Sequence, residues 1–314
     1  MVNVQQTRAA YGEALLKLGG MNERVVVLDA DLYNSTRTVL FRDAFPDRFI
    51  DMGIAEADMV STAAGMSASG LIPFCNSFAI FLTARCYDQI RIQIAYPRLH
   101  VILVGSSAGL TQGQDGASHQ SLEDIALMRA LPNMTVLVPA DGIETEQMTQ
   151  AAVNLTGPVY LRLGRYPVPD LMDGYPSFQV GRATLLRQGE SLSLLACGHM
   201  VNVAIQAAEL LAARGLGVRV MNVSTIKPLD IEAVYQAARG LPLVLTLEEH
   251  SIIGGLGSAV AEVLAEVPYT TRLVRLGTPD VFGESGTADQ MLDKYQLTPQ
   301  GVADRAESEL RRLL

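Results

Sequence analysis

Short apolar runs alternate with longer helical patterns along most of the chain. RVVVLDADL, RFIDMGI, HVILVGSS, MTVLVPA and PVYLRLG are almost continuously apolar and predict strands covered on both faces. Between them, ADMVSTAAGMSASG, FLTARCYDQIRIQIAY, SLEDIALMRAL and IETEQMTQAAVNL predict helices. Residues 164–190 interrupt the pattern with Pro167, Pro169, Pro176 and several glycines. A second block then supplies strands SLSLLAC, GVRVMNVS, LVLTLEE and TTRLVRLG, with helices MVNVAIQAAELLAARG, DIEAVYQAARG and GSAVAEVLAEV. The tail after Gly283 is polar and helical in pattern. The opening MVNVQQTRAAYGEALLKLGG predicts an amphipathic helix ending at Gly19-Gly20, with none of the regions of a signal peptide. Strand–helix alternation of this kind predicts an α/β protein of two domains, each a mostly parallel sheet flanked by helices. The expected boundaries are 1–166, a linker over 167–188, and 189–314.

Composition narrows the partners. The chain has 314 residues, 49% of them hydrophobic and 18% charged, which suits a well-buried globular protein. A net charge of −9 disfavours nucleic acid, whose phosphates need clustered Lys and Arg. An anionic substrate would have to be met by local arginines. No apolar run approaches the ~18 residues of a membrane span. Cys75, Cys86 and Cys197 are widely spaced in apolar stretches, without metal-ligand spacing, and predict a reduced, cytoplasmic setting. Cys197 and His199 lie on a strand end with no third group, so Cys197 reads as core rather than nucleophile. Gly255-Leu-Gly257 follows a strand and precedes a helix, but Val260 stands where a third glycine would, and the stretch reads as a tight turn.

The densest chemistry lies in GQDGASHQSLEDIALMRALPN, residues 113–133. One of only four histidines, His119, sits among small residues, four positions after Asp115, where a helical pattern begins. Glycines let backbone approach a ligand, and a helix start exposes N–H groups. The plainer reading is a turn in which Ser118 or Ser121 caps the helix and His119 is a bystander.

Several segments carry a resemblance. DADL at 29–32, DMGIAEADMVSTAAGMSASG at 51–70, FAIF at 78–81, RCYDQI at 85–90, GLTQGQDGASHQSLEDIALMRALPN at 109–133 and VPADGIE at 138–144 resemble the pyrimidine-binding domain of the transketolase family. STIKPLD at 224–230 and LEEHSIIGGLGSAVAE at 248–262 resemble that family's C-terminal domain. The family's pyrophosphate-binding domain carries GDG and a following Asn that hold the metal; this sequence contains no GDG. The resemblance is therefore to the C-terminal subunit of a transketolase made from two polypeptides. It implies thiamine diphosphate as cofactor, with Mg2+ or another divalent ion held by an N-terminal partner subunit. It also implies a second copy of this chain in an α2β2 assembly, and transfer of a two-carbon ketol unit between sugar phosphates.

The implied roles attach to particular residues. Glu56, in GIAEADM, matches the glutamate that hydrogen-bonds the cofactor's pyrimidine nitrogen N1′. Its sequence neighbours Gly53, Ile54, Ala55, Ala57 and Met59 offer little solvation, a setting that favours a neutral, proton-sharing carboxyl. The plainer reading is a glutamate favoured at a helix start. Phe78 and Phe81 match an aromatic pair around the aminopyrimidine, on one helical face if the helix starts early. Arg85 is expected either at a substrate phosphate or on a carboxylate across the subunit interface. Asp115 and His119 match residues that contact ketose hydroxyls, with His119 able to move protons near neutrality. Ser35 and Arg165 match residues near the sugar phosphate, with Arg37 and Arg162 as substitutes. Ser107 stands where many single-chain members have a histidine near the donor carbonyl, which leaves the donor open. Related readings are the β subunit of a 2-oxo acid dehydrogenase and a deoxyxylulose-phosphate synthase-like enzyme; outside enzymes, a scaffold that only binds a partner.

Overall fold

The computed structural model describes residues 3–266 and 270–313. The expected starts of the first helix at Met1 and Val2, the last residue of GSAVAEVLAEV, Val267, and the final Leu314 lie outside the described residues.

Two sheets form the scaffold. The first runs in the spatial order Thr225–Lys227, Thr135–Leu137, Val159–Arg162, Ile102–Ser106, Ile72–Phe78, Val25–Asp29, Phe49–Asp51, and only Thr225–Lys227 is antiparallel to its neighbour. The second runs Arg272–Thr278, Leu243–Ser251, Leu192–Ala196, Val218–Asn222, Thr184–Arg187, with only the last strand antiparallel. Each apolar strand serves both faces. Val25 and Val27 pack with Tyr11, Leu15 and Leu18 of helix Thr7–Met21, while Val26 and Leu28 pack with Met59 and Val60 of helix Glu56–Ala68.

The five strands expected in the first block and the four in the second all form. Three pieces of the pattern differ. The central strand Ile72–Phe78 was not expected, because Pro73, Asn76 and Ser77 interrupt its apolar run. Ile72 N–H donates to Arg24 O, so residue 73 faces the other side, where pairing with Ile102–Ser106 starts only at Phe74. Pro73 therefore costs no ladder bond. The first helix continues through Gly19-Gly20 to Met21, since Gly19 lies against the Phe41 and Phe45 rings. The expected linker also carries regular structure. Pro167–Pro169 pairs with Val4–Gln6, and Thr184–Arg187 forms the edge of the second sheet.

The two halves are stitched together. Thr225–Lys227, from the second block, adds to the first sheet, and one buried apolar cluster includes Val26, Met134, Leu195 and Val244. Arg162 is buried between the halves, bound to Asp124 Oδ2 at 2.7 Å and to Glu249 O at 2.8 Å, with Tyr160 donating to the same Asp124 oxygen. Glu144 lies at a second seam. It accepts from Ala140 N and from Asn222 Nδ2, whose Oδ1 has no partner.

Burial pushes the Glu144 carboxyl up to about 7, against the opposing pull of its hydrogen-bond donors. The folded chain thus holds a proton that the unfolded chain releases at ordinary glutamate acidity. Stability from this group falls as pH rises from the usual glutamate range to about 7, and stays reduced above it. Glu144→Gln, with the Asn222 amide turned over so that its Oδ1 accepts from the new amide, is expected to stabilise the chain at pH 8 by about 1–2 kcal/mol. The gain should vanish near pH 5. Urea melts at the two pH values check it; a variant no more stable than the parent at pH 8 contradicts it.

Candidate active site

All eight expected site residues lie at or beyond carboxyl ends of parallel strands in the first sheet. Ser35 follows Val25–Asp29, Glu56 follows Phe49–Asp51, and Phe78, Phe81 and Arg85 end or follow Ile72–Phe78. Asp115 and His119 follow Ile102–Ser106, and Arg165 follows Val159–Arg162. From Val25–Asp29 the chain passes to one neighbour, Phe49–Asp51, and then returns to the other, Ile72–Phe78. Open α/β sheets bind ligands at such a reversal.

One group gathers around Glu56, the first residue of its helix, 4% exposed. Arg85 Nη1 lies 3.3 and 3.1 Å from its two carboxylate oxygens, and Ser77 Oγ lies 3.4 Å from Oε1. The sequence neighbours alone suggested an unsolvated carboxyl. The fold instead supplies a cation and a hydroxyl from the next strand–helix unit, so the carboxyl is not without partners in the free chain. Arg85 pairs with Glu56 of its own chain, a contact that is neither of the two expected for it. Phe78 is the last residue of its strand, and the helix begins only at Ala79. The two rings nevertheless stack, with centroids 6.0 Å apart and planes at 24°. The Arg85 guanidinium sits 4.2 Å from the Phe81 centroid. His119 meets both rings edge-on, at 5.1 Å from Phe81 and 6.1 Å from Phe78.

The 109–121 segment does not begin a helix. It makes tight turns over Leu110–Asp115, and the helix starts only at Asp124. Neither Ser118 nor Ser121 caps it; Ser118 Oγ lies 2.9 Å from His119 Nδ1. A cleft lined by Ile80, Ala117, Ser118 and Phe282 opens here, with Phe282 exposed.

A second group gathers around Asp115. Its Oδ2 accepts from Gln112 at 2.6 Å and from Arg165 at 3.1 Å. Arg8 stands near both Arg165 and Arg37, and donates to the backbone oxygen of Ser35. Burial, with Arg165 and Arg37 nearby, pushes the Arg8 guanidinium down to about 10. An arginine flanked by two others is chemistry suited to a multiply charged anion. Gly12 permits the approach, since a Cβ there would lie 2.7 Å from Arg37 Cβ. Asp29 fixes the loop that carries Ser35 and Arg37 by accepting from Leu32 N, Thr36 and Thr38. Arg162 is excluded as a substitute phosphate ligand by its burial against Asp124. Sequence reasoning missed Arg8, because nothing local in TRAAYGEA marks it, and missed Phe282, which comes from the second half.

Ser107, the position that departs from many single-chain family members, is fully buried at φ +55°, and its hydroxyl has no partner. Leu256 and Gly257 N–H groups both donate to Glu248, so the turn at Gly255-Leu-Gly257 holds a carboxylate where a phosphate would sit. Cys197 is buried, and burial pushes its thiol far up.

The residues present fit the aminopyrimidine end of thiamine diphosphate. A planar, nitrogen-rich guanidinium already occupies the space between the Glu56 carboxylate and the Phe81 ring. Among the described residues no group of three or more His, Cys, Asp or Glu is placed to hold a metal ion.

Comparison with known proteins gives the family. Residues 3–169 match the transketolase pyrimidine-binding domain and residues 181–302 the transketolase C-terminal domain. A transketolase C-terminal section from Methanocaldococcus jannaschii is 42% identical, covering 97% of this chain and 96% of that protein. A 6-deoxy-6-sulfo-D-fructose transketolase subunit from Clostridium sp. is 41% identical, covering 97% and 94%. A solved structure described as a split-gene transketolase in an inactive β4 tetramer is 46% identical, with a TM-score of 0.91, covering 99% and 100%. With both domain matches spanning the two sheets, and the expected residues gathered at the carboxyl ends of the first, the chain belongs to the transketolase family.

Proposed function

We propose that this chain is the pyrimidine-binding and substrate-facing subunit of a split transketolase that moves a two-carbon ketol unit from a ketose phosphate to an aldose phosphate. The observation that carries the reading is the joint placement of Glu56, Phe78, Phe81 and His119 beside the Asp115–Arg165–Arg8 group. Thiamine diphosphate supplies the nucleophilic carbon that accepts the two-carbon unit. Glu56 holds the pyrimidine nitrogen and its proton, and Phe78 and Phe81 bound the ring, with Arg85 giving up its place to it. Asp115 orients ketose hydroxyls, and His119 receives and returns their protons. Arg165, Arg8 and the loop of Ser35 and Arg37 hold the phosphate. Residues 1–166 carry these groups, and 189–314 support them across the 167–188 connection.

A separate subunit with the pyrophosphate-binding domain is proposed to hold the divalent ion, Mg2+ or another, in an α2β2 assembly. The similarity to a split-gene β chain that is inactive as its own tetramer supports this. Buried, unpaired Cys75, Cys86 and Cys197 support a reducing, cytoplasmic setting. Among the described residues no helix is long and apolar enough to cross a membrane.

The test is to assay this chain alone and with its partner polypeptide, supplying ketose and aldose phosphates or, separately, pyruvate. A sulfonated ketose belongs in the panel, because a sulfofructose transketolase subunit is 41% identical. Ketol transfer only with both chains is expected. Turnover by this chain alone, or consumption of pyruvate but not of any ketose, overturns the reading.

A further inference from the structure

His199, set aside above together with Cys197, belongs to a buried polar unit that the proposed mechanism does not use. Its Nδ1 lies 2.6 Å from Glu249 Oε2, and its Nε2 is buried without a partner. Glu249 Oε1 accepts from both Thr111 donors, from N at 2.5 Å and from Oγ1 at 2.6 Å. Thr111 lies in the tight turns that end at Asp115. Gly109 precedes them at φ +85°, where a Cβ would stand 2.2 Å from the same Glu249 oxygen, so the loop is seated directly on that carboxylate. On the other side, His199 packs against Tyr166 at 5.4 Å between ring centroids, and Tyr166 adjoins Arg165 and donates to Asp289. One pair of side chains from the second half thus supports both partners of the Asp115–Arg165 contact.

We propose that Glu249 and His199 are positioning residues for the ketose, fixing where Asp115 and Arg165 stand. Packing alone does not account for them. A buried polar pair is rarely better for stability than an apolar pair of the same size, and this one lies directly under the loop that carries Asp115. Thr111 would be satisfied by any neutral acceptor. The Glu249 carboxylate, held on one side by His199 and on the other by both Thr111 donors, adds a stiff, directional anchor. Supporting residues of this kind change the placement of groups that touch substrate without touching it themselves.

The inference rests on the transketolase reading, and its test separates the two. In the enzyme assembled from both subunits, Glu249→Gln and Thr111→Val are expected to raise KM for the ketose phosphate about tenfold. The change in kcat should stay below about threefold, with thiamine diphosphate affinity unchanged. Combined with Asp115→Asn, Glu249→Gln should add less than about twofold, because the anchor acts through Asp115. An unchanged KM, or full multiplication of the two effects, overturns the proposal. Amide hydrogen exchange over residues 109–121 of this chain decides the same point without turnover. Faster exchange in both variants supports the anchor, and exchange equal to the parent overturns it, even if the parent proves to transfer no ketol unit. Thr111→Val leaves the Glu249–His199 pair in place and serves if Glu249→Gln does not fold.

Discussion

Glu56→Gln is expected to lower turnover of the assembled enzyme by about three orders of magnitude, equivalent to about 4 kcal/mol of lost barrier reduction. The substitution keeps size, shape and one acceptor for Ser77 and Arg85. It removes the acid, and with it the ability to hold and exchange a proton at a ring nitrogen. Glu56 opens its helix, so the helix N-terminus already favours a negative group there. Assembly and helix content should therefore survive, since glutamine is accepted at a helix start. The measurements are kcat, deuterium exchange at C2 of the bound cofactor, and assembly by size-exclusion chromatography. An assembled variant with unchanged exchange would remove Glu56 from the proposed role.

The parts of the fold that were legible are those in which local pattern and burial coincide. Val25–Asp29 and Ile102–Ser106 are apolar at nearly every position because both faces of the first sheet are covered. Ile72–Phe78 hid itself because its polar residues are used internally. Asn76 accepts from Tyr11 and donates to Leu28 and Phe74 carbonyls, so a fully buried strand reads as mixed. The same limit applies at the site. Glu56, Asp115 and His119 are marked by their own neighbours. Their partners Arg85, Arg165, Arg8 and Ser77 arrive from other segments, and no spacing rule predicts which arginine stays free. Arg162 and Arg165 are three residues apart, yet one is locked on Asp124 and the other reaches Asp115.

His119→Ala and Asp115→Ala are expected to impair sugar turnover far more than cofactor binding. His119 Nδ1 is engaged by Ser118, which leaves Nε2 to meet a ketose hydroxyl, while the ring edge rests on Phe78 and Phe81. Removing a positioned acid–base group costs about 10²–10⁴ in rate, and the loss for His119→Ala should fall mainly on kcat/KM. Asp115 sits next to Arg165 rather than on the aromatic pair, so its removal frees Arg165 and should act mostly through KM. His119 meets the aromatic pair only through its ring edge and Asp115 is held by Gln112 and Arg165, so the affinity for thiamine diphosphate should change much less than turnover. Steady-state kinetics across donors, set beside cofactor titration, reads the asymmetry. Full activity in both variants would return His119 to the role of a loop histidine. Loss of cofactor affinity in step with turnover would place the 109–121 segment at the cofactor instead of the sugar.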